Sequence, residues 1–170
     1  RRRTADLDPV KDRLAYRCAP PLGLVSRERF GDLRFTPGLH SGEDLEFTAR
    51  LWFTGEHIAY ARAVAGYVVH EDGTDRVTSA ARPVAEDFAF LRAIEDSSWF
   101  ARLGRRARRA LGVKNLRLHV FDAILLRLRS PPEGLAPHRD ALIAVIAQIE
   151  RMSPGGAIAL LSRADRAVFD

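Results

Sequence analysis

Cysteine is almost absent: the 170 residues hold one, Cys18. A single thiol cannot close an internal disulfide or build a cysteine-based zinc site. A reducing, cytoplasmic setting is the plain expectation. Long apolar runs are missing too. No stretch approaches the roughly 20 residues that a membrane-spanning helix needs. The opening Arg1-Arg2-Arg3-Thr4 has no apolar segment behind it of the kind a signal peptide carries. The first residue is not methionine, which points to a processed product or a piece of a longer chain. Internal repeats and low-complexity tracts are also lacking. What is present is a globular composition, 46% hydrophobic and 29% charged, which excludes a disordered polymer. The length suits one ordinary domain, or a half-domain with an appendage. Negative charge is in short supply: the chain carries a net +5. That surplus favours anionic partners, whether phosphates, nucleotide sugars, nucleic acid or an anionic membrane surface, without choosing among them.

Along the chain, residues 1–21 are charged and then proline-bearing, and predict mostly irregular structure with one short element near 12–16. Residues 22–26 form a short apolar run suited to a buried strand. Residues 27–33 predict a helical turn, and Phe35-Thr36-Pro37-Gly38 a loop. A helix is expected from Glu43. Leu45, Ala49 and Trp52 share a face at i, i+4, i+7, Phe47 and Leu51 widen it, and Gly55 is a natural stop. Strand-like runs follow at 57–61 and 66–70, the second rich in strand formers (Tyr67, Val68, Val69). Residues 71–75 read as a turn. After Pro83, which suits the first turn of a helix, the pattern is helical. Val84, Phe88, Leu91 and Ile94 make one stripe. Val120, Ile124 and Leu128, flanked by Phe121 and Leu125, make a second. Leu142, Val145, Ile146, Ile149 and Met152 make a third, ended by Pro154-Gly155-Gly156, and a short fourth helix is expected after Ala157. The expectation is a mixed α/β portion, residues 1–82 (α+β as an isolated piece), joined to an all-helical portion, residues 83–170.

Ser41-Gly42-Glu43-Asp44 places two adjacent carboxylates at a predicted helix start. By itself this is a well-formed helix N-terminus, since acids there complement the macrodipole and the free N–H groups. Its surroundings add an ordered series: Gly23-Leu24-Val25-Ser26-Arg27-Glu28-Arg29-Phe30, then Phe35, then Gly42-Glu43-Asp44-Leu45-Glu46-Phe47, then Arg50-Leu51, Gly55 and Ile58-Ala59-Tyr60. Tyr67-Val68-Val69-His70 and Thr78 close it. Over roughly residues 20–80 this resembles the second half of glycosyltransferase family 2, the inverting enzymes of GT-A fold. The resemblance implies the acceptor-side half of a GT-A sheet followed by a helical extension. It implies transfer of a sugar from a nucleotide-sugar donor to a carbohydrate or lipid-linked acceptor, with Asp44 as general base. A carboxylate in hydrogen-bond reach takes the hydroxyl proton as the new bond forms. Glu43 would orient the acceptor or support the helix start.

The same resemblance implies a divalent ion, Mn²⁺ or Mg²⁺, on the donor diphosphate, with His70 as a metal contact. An imidazole suits Mn²⁺ better than Mg²⁺; an exposed strand-end histidine is the simpler alternative. Arg76 would contact the leaving diphosphate, for which its planar fork is suited; a solvated loop arginine is again simpler. The family's Asp-x-Asp donor motif is not recognised here. Asp6-Leu7-Asp8 has no apolar strand before it and stands too close to Asp44. The chain alone is therefore expected to be incomplete and inactive, with most of the metal site outside it.

The run Arg105-Arg106-Ala107-Arg108-Arg109, with Lys114 and Arg117, reads as a solvated helix face, as a contact for an anionic membrane surface, or as a backbone contact for nucleic acid. Without interleaved aromatics or a reading motif, no specific nucleic acid is expected. A non-catalytic helical module binding a protein partner or an anionic membrane surface is the alternative to the enzyme. His119 and Asp122, three apart, share a helix face and read as a satisfied structural pair.

Overall fold

A computed structural model describes residues 4–15, 23–60, 68, 82–129 and 134–169. Among them the helices are α1 (Arg27–Phe30), α2 (Glu43–Thr54), α3 (Val84–Asp87), α4 (Ala89–Glu95), α5 (Ser98–Ala101), α6 (Arg105–Lys114), α7 (Phe121–Leu128), α8 (Arg139–Met152) and α9 (Arg163–Arg166). A π-turn, Asn115–Val120, joins α6 to α7 without a break, and 3-10 turns cover Ala136–His138 and Ile158–Leu160. No helix among the described residues is long and apolar enough to cross a membrane.

The expected α/β class is corrected by this structure. Among the described residues there is no sheet, and so no half of a GT-A sheet. One antiparallel bridge pairs Leu7 with Ile58. There the Leu7 N–H donates to the Ile58 carbonyl at 2.9 Å, and the Tyr60 N–H to the Thr4 carbonyl at 2.7 Å. Of the run 57–61, the described residues 57–60 therefore contribute a bridge rather than a strand. In the run 22–26, residues 23–26 form no strand, and Leu24 and Val25 are exposed. A strand persists only where its backbone groups meet a neighbouring strand, and three apolar residues do not provide one. The run 66–70 lies outside the described residues except for Val68, which is exposed.

The helix at Glu43 forms as its apolar spacing predicts. Gly42 caps it in the left-handed region at φ 73°. A β-carbon there would stand 2.9 Å from Cδ1 of Phe90, so both backbone and packing favour glycine. The Gly55 N–H closes the other end on the Leu51 carbonyl at 3.0 Å. α2 packs on α4 and α5, and the Trp99 Nε1–H donates to Glu46 at 2.5 Å. The stripe Val84, Phe88, Leu91, Ile94 is buried throughout. Its helix breaks at Phe88, which turns to φ −111° between α3 and α4. One cluster unites Ala49 of α2 with Phe90, Ile94, Trp99, Leu116, Val120 and Ile149.

α7 departs from its predicted stripe. Val120, just before it, is buried as predicted, and Phe121 and Ile124 pack half-buried on the core, but the buried positions within α7 are Ala123 and Arg127, while Leu128 is 59% exposed. Arg127 is 1% exposed. Its Nη2 donates to Asp87 Oδ2 at 2.8 Å and to the Arg82 carbonyl at 2.6 Å, and its Nη1 to the Ala123 carbonyl at 3.0 Å. The basic run of α6 is likewise engaged. Arg105 Nε donates to the Pro154 carbonyl and Arg109 Nε to the Gly156 carbonyl. Arg108 serves the Leu103 and Ala101 carbonyls and lies 4.7 Å over the Phe100 ring.

Two stability outcomes follow. Asp87→Ala strands a buried guanidinium and should lower unfolding free energy by about 3–5 kcal/mol in urea, while Arg127→Met, which removes the charge itself, should cost clearly less. Gly112→Ala places a β-carbon 2.1 Å from Ser153 Oγ and 2.9 Å from Ala157 Cβ. Overpacking of that kind should cost about 1–3 kcal/mol in the same assay.

Candidate functional site: a groove beside the π-turn

The π-turn widens the helix by one residue per turn, a geometry found mostly as short bulges at functional sites. Here it buries Asn115, Leu116 and Val120, and leaves Arg117 outside, 3.5 Å from Asp165. His119 comes next to the core, its ring edge-on to Phe90 at 5.3 Å and 64°. Its Nε2 is shut from solvent with no hydrogen-bond partner among the described residues. Burial, and then the Lys114 charge, push its pKa down from 6.5 to about 4, so the imidazole is neutral at pH 7. One turn on, partial burial raises the Asp122 carboxyl above its ordinary value.

Both residues line a groove of about 500 Å³ between the π-turn and α7 on one side and residues 82–88 on the other. Phe88, Leu118, Ala123, Leu125 and Leu126 supply its apolar surface; Ser41, Arg82, Asp87 and Arg129 supply further polar groups. Its size falls within the range of small-ligand clefts. Ser41, His119 and Asp122 thus share one groove, but no hydrogen bond joins them among the described residues. A serine nucleophile needs that bond to its base, so the groove is not an assembled relay. The expected satisfied pair of His119 and Asp122 is corrected as well, since no hydrogen bond joins the two and Nε2 has no partner among the described residues.

The residues expected to do chemistry are not gathered there. Asp44 is half-buried and Glu43 exposed in the first turn of α2, and neither side chain bonds another described residue. They adjoin the groove through Ser41, which lines it. His70 and Arg76 lie outside the described residues. No group of three or more metal-ligating side chains occurs among the described residues. Asp6-Leu7-Asp8, set aside as a donor motif, is occupied locally. Asp8 Oδ1 accepts the N–H groups of Val10 and Lys11, and Asp6 lies 3.2 Å from His57 Nδ1.

No protein-family model matches the chain, and neither a curated protein nor a solved structure matches it. The resemblance to glycosyltransferase family 2 is therefore corrected: no family match supports it, and the described residues form no GT-A sheet. It rested on an ordered series of short elements over residues 20–80; the part from Gly42 to Gly55 is that of any capped amphipathic helix, and the strand-like parts form no sheet among the described residues.

The residues missed in the sequence were Arg82, Asp87, Arg127 and Arg129. One signal was available: Arg127 interrupts the apolar run Ile124-Leu125-Leu126-Arg127-Leu128. A cation within such a run is buried only if it is paired.

The His119 shift has a signed consequence. Between pH 6.5 and about 4 the unfolded chain takes up a proton that the folded imidazole refuses, so stability falls as pH drops through that window and levels below it. The loss is at most about 3 kcal/mol. Asp122 acts in the opposite sense, since its raised carboxyl favours the folded state as it protonates. Urea midpoints at pH 7 and pH 4.5 should differ less in His119→Gln than in the parent chain; an unchanged difference would remove His119 as its source.

Proposed function

We propose that this chain is a non-catalytic helical module that binds a small organic ligand in the groove beside the π-turn. The observation that carries it is the groove itself. Apolar side chains line about 500 Å³ together with groups of both signs, Arg82, Arg129, Asp87 and Asp122. Mostly apolar lining with a few placed polar groups is the general pattern of ligand sites. The unpartnered His119 Nε2 beside it adds a buried polar atom that a ligand group would satisfy. An anionic membrane surface is the weaker partner, because Arg105, Arg108 and Arg109 are each held by a backbone carbonyl and so are less free to follow lipid head groups. The test is an NMR fragment screen on the labelled chain. Binding fragments should shift the amide signals of residues 118–129 first, and Ala123→Phe, which fills the groove, should abolish the shifts. Fragments that bind only elsewhere would overturn the proposal.

Sugar transfer from a nucleotide-sugar donor, with Asp44 as base, Glu43 supporting it and His70 and Arg76 on a divalent ion and the diphosphate, is the second reading. It is favoured by one observation, that Ser41 brings the start of α2 to the groove edge. In the full-length protein that this reading calls for, nucleotide release, assayed with Mn²⁺ or Mg²⁺, should fall about 100-fold or more in Asp44→Asn, the range general-base catalysis contributes. Equal rates in the variant would remove it.

A further inference from the structure

Resting on the groove reading above, the lining says which class of ligand fits. Its apolar part is aliphatic: Leu118, Leu125 and Leu126 outnumber the one aromatic, Phe88. This surface continues outward on α7, where Leu125 and Leu128, three apart and so on one face, are 45% and 59% exposed. Its charged part is cationic on balance. Counting Arg127 behind Asp87, three arginines stand with two aspartates, Asp87 and Asp122.

Size narrows the occupant. A helix about 10 Å across fills about 400 Å³ per turn. The groove therefore has room for roughly one turn, whereas helix-in-groove recognition reads anchors over two turns or more. A free sugar or inorganic anion would leave the exposed leucines uncovered. A flexible chain with a charged end meets both surfaces at once.

We infer that the groove holds a single-chain amphiphile, its aliphatic tail on Leu118, Leu125 and Leu126 and its anionic head against Arg82 and Arg129. Phosphate and carboxylate heads share this chemistry. Arginine donates to either through a bidentate fork. Asp122 opposes the head and sets an upper bound on affinity.

The experiment is calorimetric titration of the whole chain with alkyl phosphates of eight, ten and twelve carbons, below their micelle concentrations, and with dodecanoate. Affinity should rise by about fourfold for each added methylene, the factor for burying one. Arg129→Gln should weaken dodecyl phosphate about tenfold or more, as loss of a charged hydrogen bond does. Leu125→Ser should weaken it too, while Asp122→Asn should tighten it. These three residues are exposed, so the variants keep the fold. Dodecyl phosphate against dodecanoate separates the two heads. Equal binding of neutral dodecyl maltoside, equal binding of inorganic phosphate, or indifference to Arg129→Gln would each overturn the inference. If fragments occupy the groove but dodecyl phosphate does not, the amphiphile fails and the groove reading stands. If nothing occupies it, both fail.

Discussion

The ion pair between Arg127 and Asp87 is the constraint on which the rest of the structure depends. Taking a guanidinium out of water costs several kcal/mol unless partners replace the solvent. Here the carboxylate and the carbonyls of Arg82 and Ala123 do so, while Nε is left without a partner. The bonds tie residues 82–87 to the middle of α7. They thereby fix where α3 begins, where Phe88 turns the chain into α4, and where the Arg82 side of the groove stands relative to Asp122 and Arg129. The groove is in this sense a by-product of a buried charge that had to be met.

A second set of bonds closes the far side. Arg105 and Arg109 hold the carbonyls of Pro154 and Gly156, and Glu150 Oε1 accepts the N–H groups of Ala157 and Ile158 at 2.8 and 2.9 Å. Polar side chains here satisfy loop backbone at the end of α8, where helical carbonyls and the following N–H groups would otherwise face solvent unpaired. Arg105, Arg108 and Arg109 thus hold loop carbonyls while Arg105 and Arg106 stay exposed, so the run is a solvated face that also fastens loop backbone.

What could be read in the sequence was what hydrophobic period reports. α2 and α8 follow their stripes, Gly55 stops the one, and Pro154-Gly155-Gly156 follows the other. Gly42 was legible as a loop residue, but not as the point where α2 meets Phe90. Residues 23–26 and 57–60 were misread as strand because composition states a preference that only a pairing partner can realise, and the bridge at Ile58 is all the pairing found among the described residues. The groove was illegible for another reason. Residues 41, 82–88 and 118–129 meet through tertiary packing, and Arg127 counted as polar in every periodicity. The stripe Val120, Ile124, Leu128 missed the inward positions Ala123 and Arg127 because alanine is small and arginine is polar.

The π-turn sets how α7 is rotated on the core. Each α-helical residue advances the chain by about 100° around the axis, and a π-turn accommodates an additional residue without a break in the rod. The turn Asn115–Val120 is thus a phase shifter: it sets which azimuth of α7 faces inward, independently of how long the helix is. Shortening this segment by one residue would leave a helix of almost the same length and composition. It would nevertheless rotate everything downstream by about 100°, and Arg127 would leave its carboxylate for the solvent. A substitution on the α6–α7 rod alters one side chain, whereas a change in count would turn every side chain that follows.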